Sequence, residues 1–249
     1  MDKQENLAIK AQNISKEYSR IDPETHKPVF FNALKNVSFD LPKGEILGII
    51  GRNGSGKSTL LRVLSGITKP SKGKVELCGT VASILDVGTG FHPDLSGREN
   101  IYMRGQMLGM DRQVIDKVYD QLVEFSEIDE FVESPVKHLS SGMFLRLAFS
   151  IIIYLSADVL ILDEVMAVGD PKFRQKCTDR LAEIVTSGRT VVMVSHDMRS
   201  IMDLCTHVAL LHKGEIIKYG NPLSIVSDSD NIKLAGLQET GPGSDRVQS

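Results

Sequence analysis

No stretch of this chain approaches the ~20 consecutive apolar residues that a helix needs to cross a bilayer. The longest candidate, LAFSIIIYLSADVLIL, is broken by Asp158 and divides better into a buried helix end and a strand. The opening MDKQENLAIKAQ has no apolar signal core. Together these absences predict a cytoplasmic chain that meets a membrane only through a partner. Cysteine is scarce as well. Cys78, Cys177 and Cys205 lie far apart without a CxxC pair, which argues against a disulfide frame or zinc site and reads as small buried hydrophobes in a reducing compartment. Neither sign of charge dominates: the net charge of −3 gives no support for a nucleic-acid partner, because phosphate backbones call for a basic excess. No internal repeat is visible.

What remains is an ordinary globular composition, 41% hydrophobic and 24% charged over 249 residues, enough for one large domain or a main lobe with a smaller one. Three short apolar runs, EILGII (45–50), DVLILD (158–163) and TVVMVS (190–195), show little alternation. Such runs are buried on both faces, as in a parallel sheet covered by helices. Helical patterns separate them: KSTLLRVLSGI, RQVIDKVYDQLVEFSEI, GMFLRLAFSIIIYL and KFRQKCTDRLAEIVTSG. The alternation predicts an α/β fold with right-handed crossovers. Before it, LAIKAQNISKEYS and ALKNVSFDLPKGE alternate as antiparallel strands do, and HVALLHKGEIIKYG reads as a hairpin turning at Lys213-Gly214. Residues 227–249 are polar and predict a mobile tail. The insertion RIDPETHKPVFFN (20–32) predicts a disordered loop near Tyr18.

The strongest chemical signal is Gly51-Arg52-Asn53-Gly54-Ser55-Gly56-Lys57-Ser58-Thr59, a complete GxxxxGK[ST] phosphate loop between a strand and a helix. Its glycines let backbone N–H groups turn toward phosphate oxygens. Lys57 adds a point charge, and the Ser58 hydroxyl is placed to ligate Mg²⁺. The second signal is VLIL followed by Asp163 and Glu164. Two carboxylates closing a buried strand are costly unless they have work or partners. Asp163 is the candidate Mg²⁺ holder, and Glu164 the candidate base that polarises a water toward the γ-phosphate. His196 ends a third buried strand, on the edge where open α/β sheets bind ligands, and is assigned to orienting the γ-phosphate. The other histidines (His26, His92, His138, His207 and His212) gain no role. A second anion hole is suggested by HLSSGMFLRLAFS, where Ser140, Ser141, Gly142 and Met143 precede an apolar helix. On local pattern alone, a capped core helix fits that stretch equally well.

Phosphate loop, LSSGM, VLILDE and VSHD, in this order and spacing, resemble the nucleotide-binding subunit of an ABC transporter, with LSSGM where that family has LSGGQ. The resemblance runs from about Leu7 to Val226. It implies the P-loop ABC ATPase fold: a mixed parallel core sheet, an N-terminal antiparallel β subdomain and a helical subdomain at about 86–150, within one domain spanning 1–226. It implies ATP and Mg²⁺ as ligands. It also implies a homodimer in which Ser140, Ser141, Gly142 and Met143 of one copy cover the nucleotide held by the other. Tyr18 becomes the adenine-stacking aromatic, though a plain strand tyrosine fits as well, and Asp170 becomes the D-loop aspartate.

The stretches GTGFHPDLSGRENIYMRG (88–105), SSGMFLRLAFS (140–150) and DEVMAVGD (163–170) are similar to the ATPases that export lipid-linked polysaccharides such as O-antigen, capsule and teichoic acid. That likeness implies a separate membrane permease as partner, a peripheral place on the cytoplasmic face of the inner membrane, and a glycan handled through the permease. It implies no glycan-end-binding β-sandwich in these residues. Two positions depart from the family. The Q-loop glutamine is absent, with Asp86 the candidate substitute, and Met143 stands where the signature has glutamine. A soluble ATP-gated scaffold would carry two cassettes or a coiled-coil insertion, a GTPase an NKxD tetrapeptide, and an importer ATPase the Q-loop glutamine with SALD. None of these features is present.

Overall fold

The computed structural model describes residues 6–83, 85, 90–154, 157–163, 170–195 and 198–236. The three non-alternating runs become β3 (Ile46–Ile50), β6 (Val159–Leu162) and β7 (Thr190–Val194), buried at every position. With β5 (Val81–Ser83) and β8 (His207–His212) they pair in parallel, and β9 (Glu215–Gly220) closes the sheet antiparallel to β8, in the order β5-β6-β7-β3-β8-β9. The period of two divides each strand between two cores. On one face Leu47, Ile49, Val192 and Val194 pack with Leu60, Leu61 and Leu64 of α1 (Lys57–Leu64). On the other, Ile46, Ile50, Val191 and Met193 pack with Phe173, Cys177 and Leu181 of α5 (Pro171–Thr186) and Ile201 of α6 (Met198–Leu204).

The antiparallel sheet runs β2-β1-β4, from β1 (Leu7–Ile21), β2 (Pro28–Pro42) and β4 (Lys72–Leu77). Its apolar face, including Ile9, Ile14, Leu34 and Leu41, adds to the α1 core. Here the structure corrects the disordered loop expected at 20–32. The strands continue, paired Tyr18↔Phe31 and Ile21↔Pro28, to a tight turn at 22–27. Asp22 Oδ1 accepts from the backbone N–H groups of Glu24 and Thr25, each at 2.9 Å, and the N–H of His26 donates to the Asp22 carbonyl at 2.9 Å. The turn holds because the N–H groups of Asp22, Glu24, Thr25 and His26 all find acceptors within it, although Ile21, Val29, Phe30 and Phe31 remain exposed.

A third core belongs to the helical lobe. Ile101 from α2 (Gly97–Met107), Ile115 and Leu122 from α3 (Arg112–Ser126), and Leu147 and Ile151 from α4 (Ser141–Tyr154) share one cluster. Ser96 and Glu99 form a capping box at the start of α2.

Two further expectations change. Residues 229–235, expected within a mobile tail, form α8 (Ser229–Ala235), packed behind α7 (Pro222–Val226). Asp228 caps α8, Ala235 is fully buried, and the Asn231 amide donates to the Ile225 carbonyl at 3.0 Å. Few apolar residues were needed because α8 joins a core already built. Cys78 is exposed at the end of β4, and only Cys177 and Cys205 are buried.

Candidate functional site

The phosphate loop leaves β3 at Gly51 and enters α1 at Gly56. Gly51 takes φ 153, and a Cβ there would lie 2.3 Å from the Leu211 carbonyl oxygen of β8. Gly56 takes φ 111, with the Ala33 oxygen of β2 at 2.6 Å from its would-be Cβ. Any side chain at either position would force the loop off its neighbours. The β8–β9 turn, Lys213 at φ 47 and Gly214 at φ 86, matches the hairpin read from the sequence. It also braces the loop, since the Gly214 N–H donates to the Ser55 carbonyl at 2.8 Å. From the far side Gly236, which ends α8, rests on Arg52, 3.0 Å from its would-be Cβ to Arg52 Cγ.

Lys57 is buried, and its Nζ donates to the carbonyls of Gly51 (2.6 Å) and Arg52 (3.2 Å). A phosphate entering the loop competes for that ammonium. The loop fits an anion on two counts. No side chain caps the first turn of α1, whose residue before the helix is Gly56, so the positive end of the helix faces the loop. Ser55 Oγ is buried and has no hydrogen-bond partner among the described residues. Ser58 is exposed and Thr59 half-buried. Asp163 follows β6, which pairs with β7, which pairs with β3. At about 4.8 Å per strand it stands roughly 10 Å across the sheet from the phosphate loop, at the same carboxyl edge. A hard cation held between the Ser58 hydroxyl and the Asp163 carboxylate suits this all-oxygen donor set. Glu164, His196 and Asp86 lie outside the described residues.

Tyr18 is half-buried on β1, its ring 6.0 Å from Phe31 and 5.1 Å from Lys16 Nζ. Two residues beyond Phe31, the Ala33 carbonyl oxygen lies 2.6 Å from a would-be Gly56 Cβ, so Phe31 stands on the strand that meets the phosphate loop. Ser140 caps α4: its Oγ accepts from the Met143 N–H at 3.2 Å. The capped-helix reading of this stretch is therefore realised for Ser140. Ser141 and Gly142 are exposed, and the nearest atom to a Cβ on Gly142 is Ser140 Oγ at 4.0 Å. Asp170 precedes α5. Its Oδ1 accepts from the Phe173 N–H at 2.9 Å and its Oδ2 from Arg146 Nη2 at 2.7 Å. The Phe173 N–H above all, then Arg146, hold its carboxyl below the usual range. The sequence reading missed Arg146, Gly214 and Gly236. A lone charge inside FLRLAFSIII was the available signal for the first.

A glycine-lined anion hole at the carboxyl edge of a parallel sheet defines a P-loop phosphate-binding protein. Residues 34–167 match the family described as ABC transporter, and the chain belongs to that family. It is 42% identical over 196 residues to the ABC transporter protein AbcA of Aeromonas salmonicida, covering 79% of this chain and 64% of that one. To the teichoic acids export ATP-binding protein TagH of Bacillus cereus it is 38% identical over 233 residues, covering 90% of this chain and 42% of that one. To an O-antigen export system ATP-binding protein RfbB of Klebsiella pneumoniae it is 42% identical over 194 residues, covering 78% and 79%. The chain thus spans less than two thirds of the length of the first two relatives. A dimeric ATP-binding cassette in a post-hydrolysis state bound to ADP and Pi shares the fold at a TM-score of 0.72 and 22% identity, covering 86% of this chain and 98% of that one.

Proposed function

We propose that this chain is the ATP-hydrolysing subunit of an exporter for a lipid-linked polysaccharide, working as a homodimer beneath a separate membrane permease. The observation that carries the reading is the pairing of a preformed phosphate loop, with the orphaned Ser55 hydroxyl inside it, and an exposed Ser141–Gly142 helix start on another lobe. Each is half of a nucleotide chamber, and two copies arranged head to tail complete two chambers. Relatives named for O-antigen and teichoic acid export direct the substrate class toward lipid-linked glycans. No helix among the described residues is long and apolar enough to cross a membrane, so translocation falls to the permease.

In this reading the β- and γ-phosphates draw Lys57 Nζ from the Gly51 and Arg52 carbonyls, and Tyr18 stacks on the adenine. Ser58 and Asp163 would hold Mg²⁺, which supplies charge neutralisation on the phosphate oxygens. Glu164 orients the attacking water, His196 holds the γ-phosphate, and the second copy's Ser141 closes over it. Product release then opens the dimer, and the helical lobe passes the motion to the permease.

The test is transport. Inside-out vesicles carrying the chain and its co-purifying permease take up a radiolabelled lipid-linked glycan when ATP is added. Glu164→Gln binds ATP, pairs and stalls. Uptake that proceeds equally with Glu164→Gln, or ATP turnover without any glycan movement by the intact assembly, overturns the proposal.

A further inference from the structure

Helix α4 is apolar from Leu145 to Tyr154 except for Arg146 and Ser150. A charge in such a run is costly unless it is paired, and Arg146 is paired twice. Its Nη1 donates to Glu127 Oε2 at 2.6 Å and its Nη2 to Asp170 Oδ2 at 2.7 Å. Its guanidinium lies 5.0 Å from the centre of the Phe173 ring. Glu127 ends α3 in a left-handed conformation, φ 55, and its second oxygen accepts from Lys176 Nζ at 2.6 Å. Lys176 belongs to α5, the helix that Asp170 caps. Two cations and two carboxylates therefore close a ring. It passes from α3 to α4, from α4 to the start of α5, and from within α5 back to α3.

We propose that Arg146 is a positioning residue that ties the Ser140–Met143 segment to Asp170, so that both reach a second copy's nucleotide as one rigid body. The inference rests on the ATP-driven pairing proposed above. Ser141 lies five residues before Arg146, about 7 Å along the helix axis. A small rotation of α4 at Arg146 thus displaces the serine that must meet the γ-phosphate. An arginine is required because its planar fork serves carboxylates on two elements at once, whereas a lysine ammonium is a single point charge. The Arg146–Asp170 pair contributes little to folding. Half of the Asp170 side chain is exposed, and ion pairs at that exposure contribute little to stability. Its role is geometric, and nucleotide binding by a single copy does not depend on it.

The experiment uses Arg146→Ala, Arg146→Lys and Asp170→Asn, each also combined with Glu164→Gln. Three quantities are read: ATP affinity of the dilute single chain, ATP-dependent pairing by light scattering, and steady-state kcat and KM. Arg146→Ala is expected to bind ATP within about twofold of the parent while pairing and kcat fall about tenfold or more, since only the trans-acting geometry is lost. Arg146→Lys does not rescue it. Asp170→Asn gives the same defect while keeping the oxygen that caps α5, and Arg146→Ala/Asp170→Asn is no worse than either single change. If Arg146→Ala fails to fold, Asp170→Asn alone carries the comparison. Parent-like pairing and kcat in Arg146→Ala or Asp170→Asn, or additive losses in the double variant, overturn the positioning role. A parent that never pairs with ATP overturns the dimer reading and this inference with it.

Discussion

Gly214 is about 160 positions from the phosphate loop in sequence, yet its substitution is expected to weaken ATP binding. Its φ of 86 lies in the left-handed region, where an alanine costs roughly 1–2 kcal/mol. A Cβ at this position would also stand 2.8 Å from the Ala33 carbonyl oxygen and 3.2 Å from the Ala33 carbonyl carbon. Those are backbone atoms of β2 that cannot turn aside, so the hairpin must shift by several tenths of an ångström. Overpacking of this kind adds about 1–3 kcal/mol. The shift strains the 2.8 Å bond from the Gly214 N–H to the Ser55 carbonyl and pulls on the loop that receives the phosphates. Gly109→Ala is the control. Its φ of 80 carries the same backbone strain, but nothing lies within 4 Å of its Cβ, and it sits between α2 and α3. At roughly 2–4 °C per kcal/mol for a chain of this size, Gly109→Ala is expected to lower the melting temperature by about 2–8 °C, and Gly214→Ala by about 4–20 °C. Only Gly214→Ala should weaken the affinity for a fluorescent ATP analogue, read by titration below both melting temperatures. Equal melting shifts and equal affinities in the two variants would show that the hairpin does not brace the phosphate loop.

Lys57→Ala removes a charge-assisted contact to phosphate and should weaken ATP binding about 10–100-fold by the same titration, with the fold kept by circular dichroism. An aromatic disulfide reagent at pH 8 should label one thiol in the native chain, Cys78, and three after denaturation, because burial raises the Cys177 and Cys205 thiols to about 12. Acid should destabilise the chain through carboxyls whose folded pKa is depressed. The hydrogen bond from Lys176 chiefly lowers Glu127, and the Thr80 N–H chiefly lowers Asp158. Their contribution is complete above the unfolded carboxylate range near about 4 and is lost as pH falls below it through the lower folded values. Melting temperature followed from pH 7 to 3 should drop in that window, and Glu127→Gln should shrink the drop.

The parts legible in the sequence were those whose signal is local. β3, β6 and β7 are buried on both faces, so unbroken aliphatic runs marked them, and the glycines and Lys57 that follow β3 announced an anion hole. α2 escaped notice because GRENIYMRGQM carries no clear apolar stripe, although the Ser96–Glu99 spacing was its signal. α8 escaped for the opposite reason. Its seven residues hold little apolar surface of their own, and its stability comes from a core laid down by elements far away. The ribbon at 20–32 was misread because its prolines and charges suggest a loop, whereas the pairing of Tyr18 with Phe31 and the turn at Asp22 depend on both strands being present at once. Arg146 was visible as an odd charge in an apolar helix. Its partners, 19 and 24 positions away on two other elements, were not.

The two candidate halves of the nucleotide chamber are built to different mechanical standards, and that difference bears on how the chain works. Ala33, Gly214 and Gly236 hold the phosphate loop from three directions, each against its backbone or an adjoining side chain. Such a loop is preorganised, and binding spends little free energy on ordering it. Ser141 and Gly142 sit in the open on a lobe with its own core. That lobe meets the sheet domain through Phe125 and Phe149 against Phe173, through Phe149, Ile152 and Ile153 of α4 buried in the sheet's own core, and through the ion ring at Arg146. The buried end of α4 is thus held as firmly as the sheet it packs on, and the two halves differ in that the exposed Ser141–Gly142 start of α4 has no such bracing. Nucleotide capture is therefore expected to be a property of the rigid half alone. Ordering of the Ser141 segment is expected only when a second nucleotide-loaded copy supplies the missing contacts. Hydrogen exchange tests this directly: ATP added to the dilute Glu164→Gln chain should protect residues 51–64 first, and α4 only at concentrations where pairs form. Simultaneous protection of both segments in the unpaired chain would mean that the lobe responds to its own nucleotide, and the division of labour drawn from the packing would be wrong.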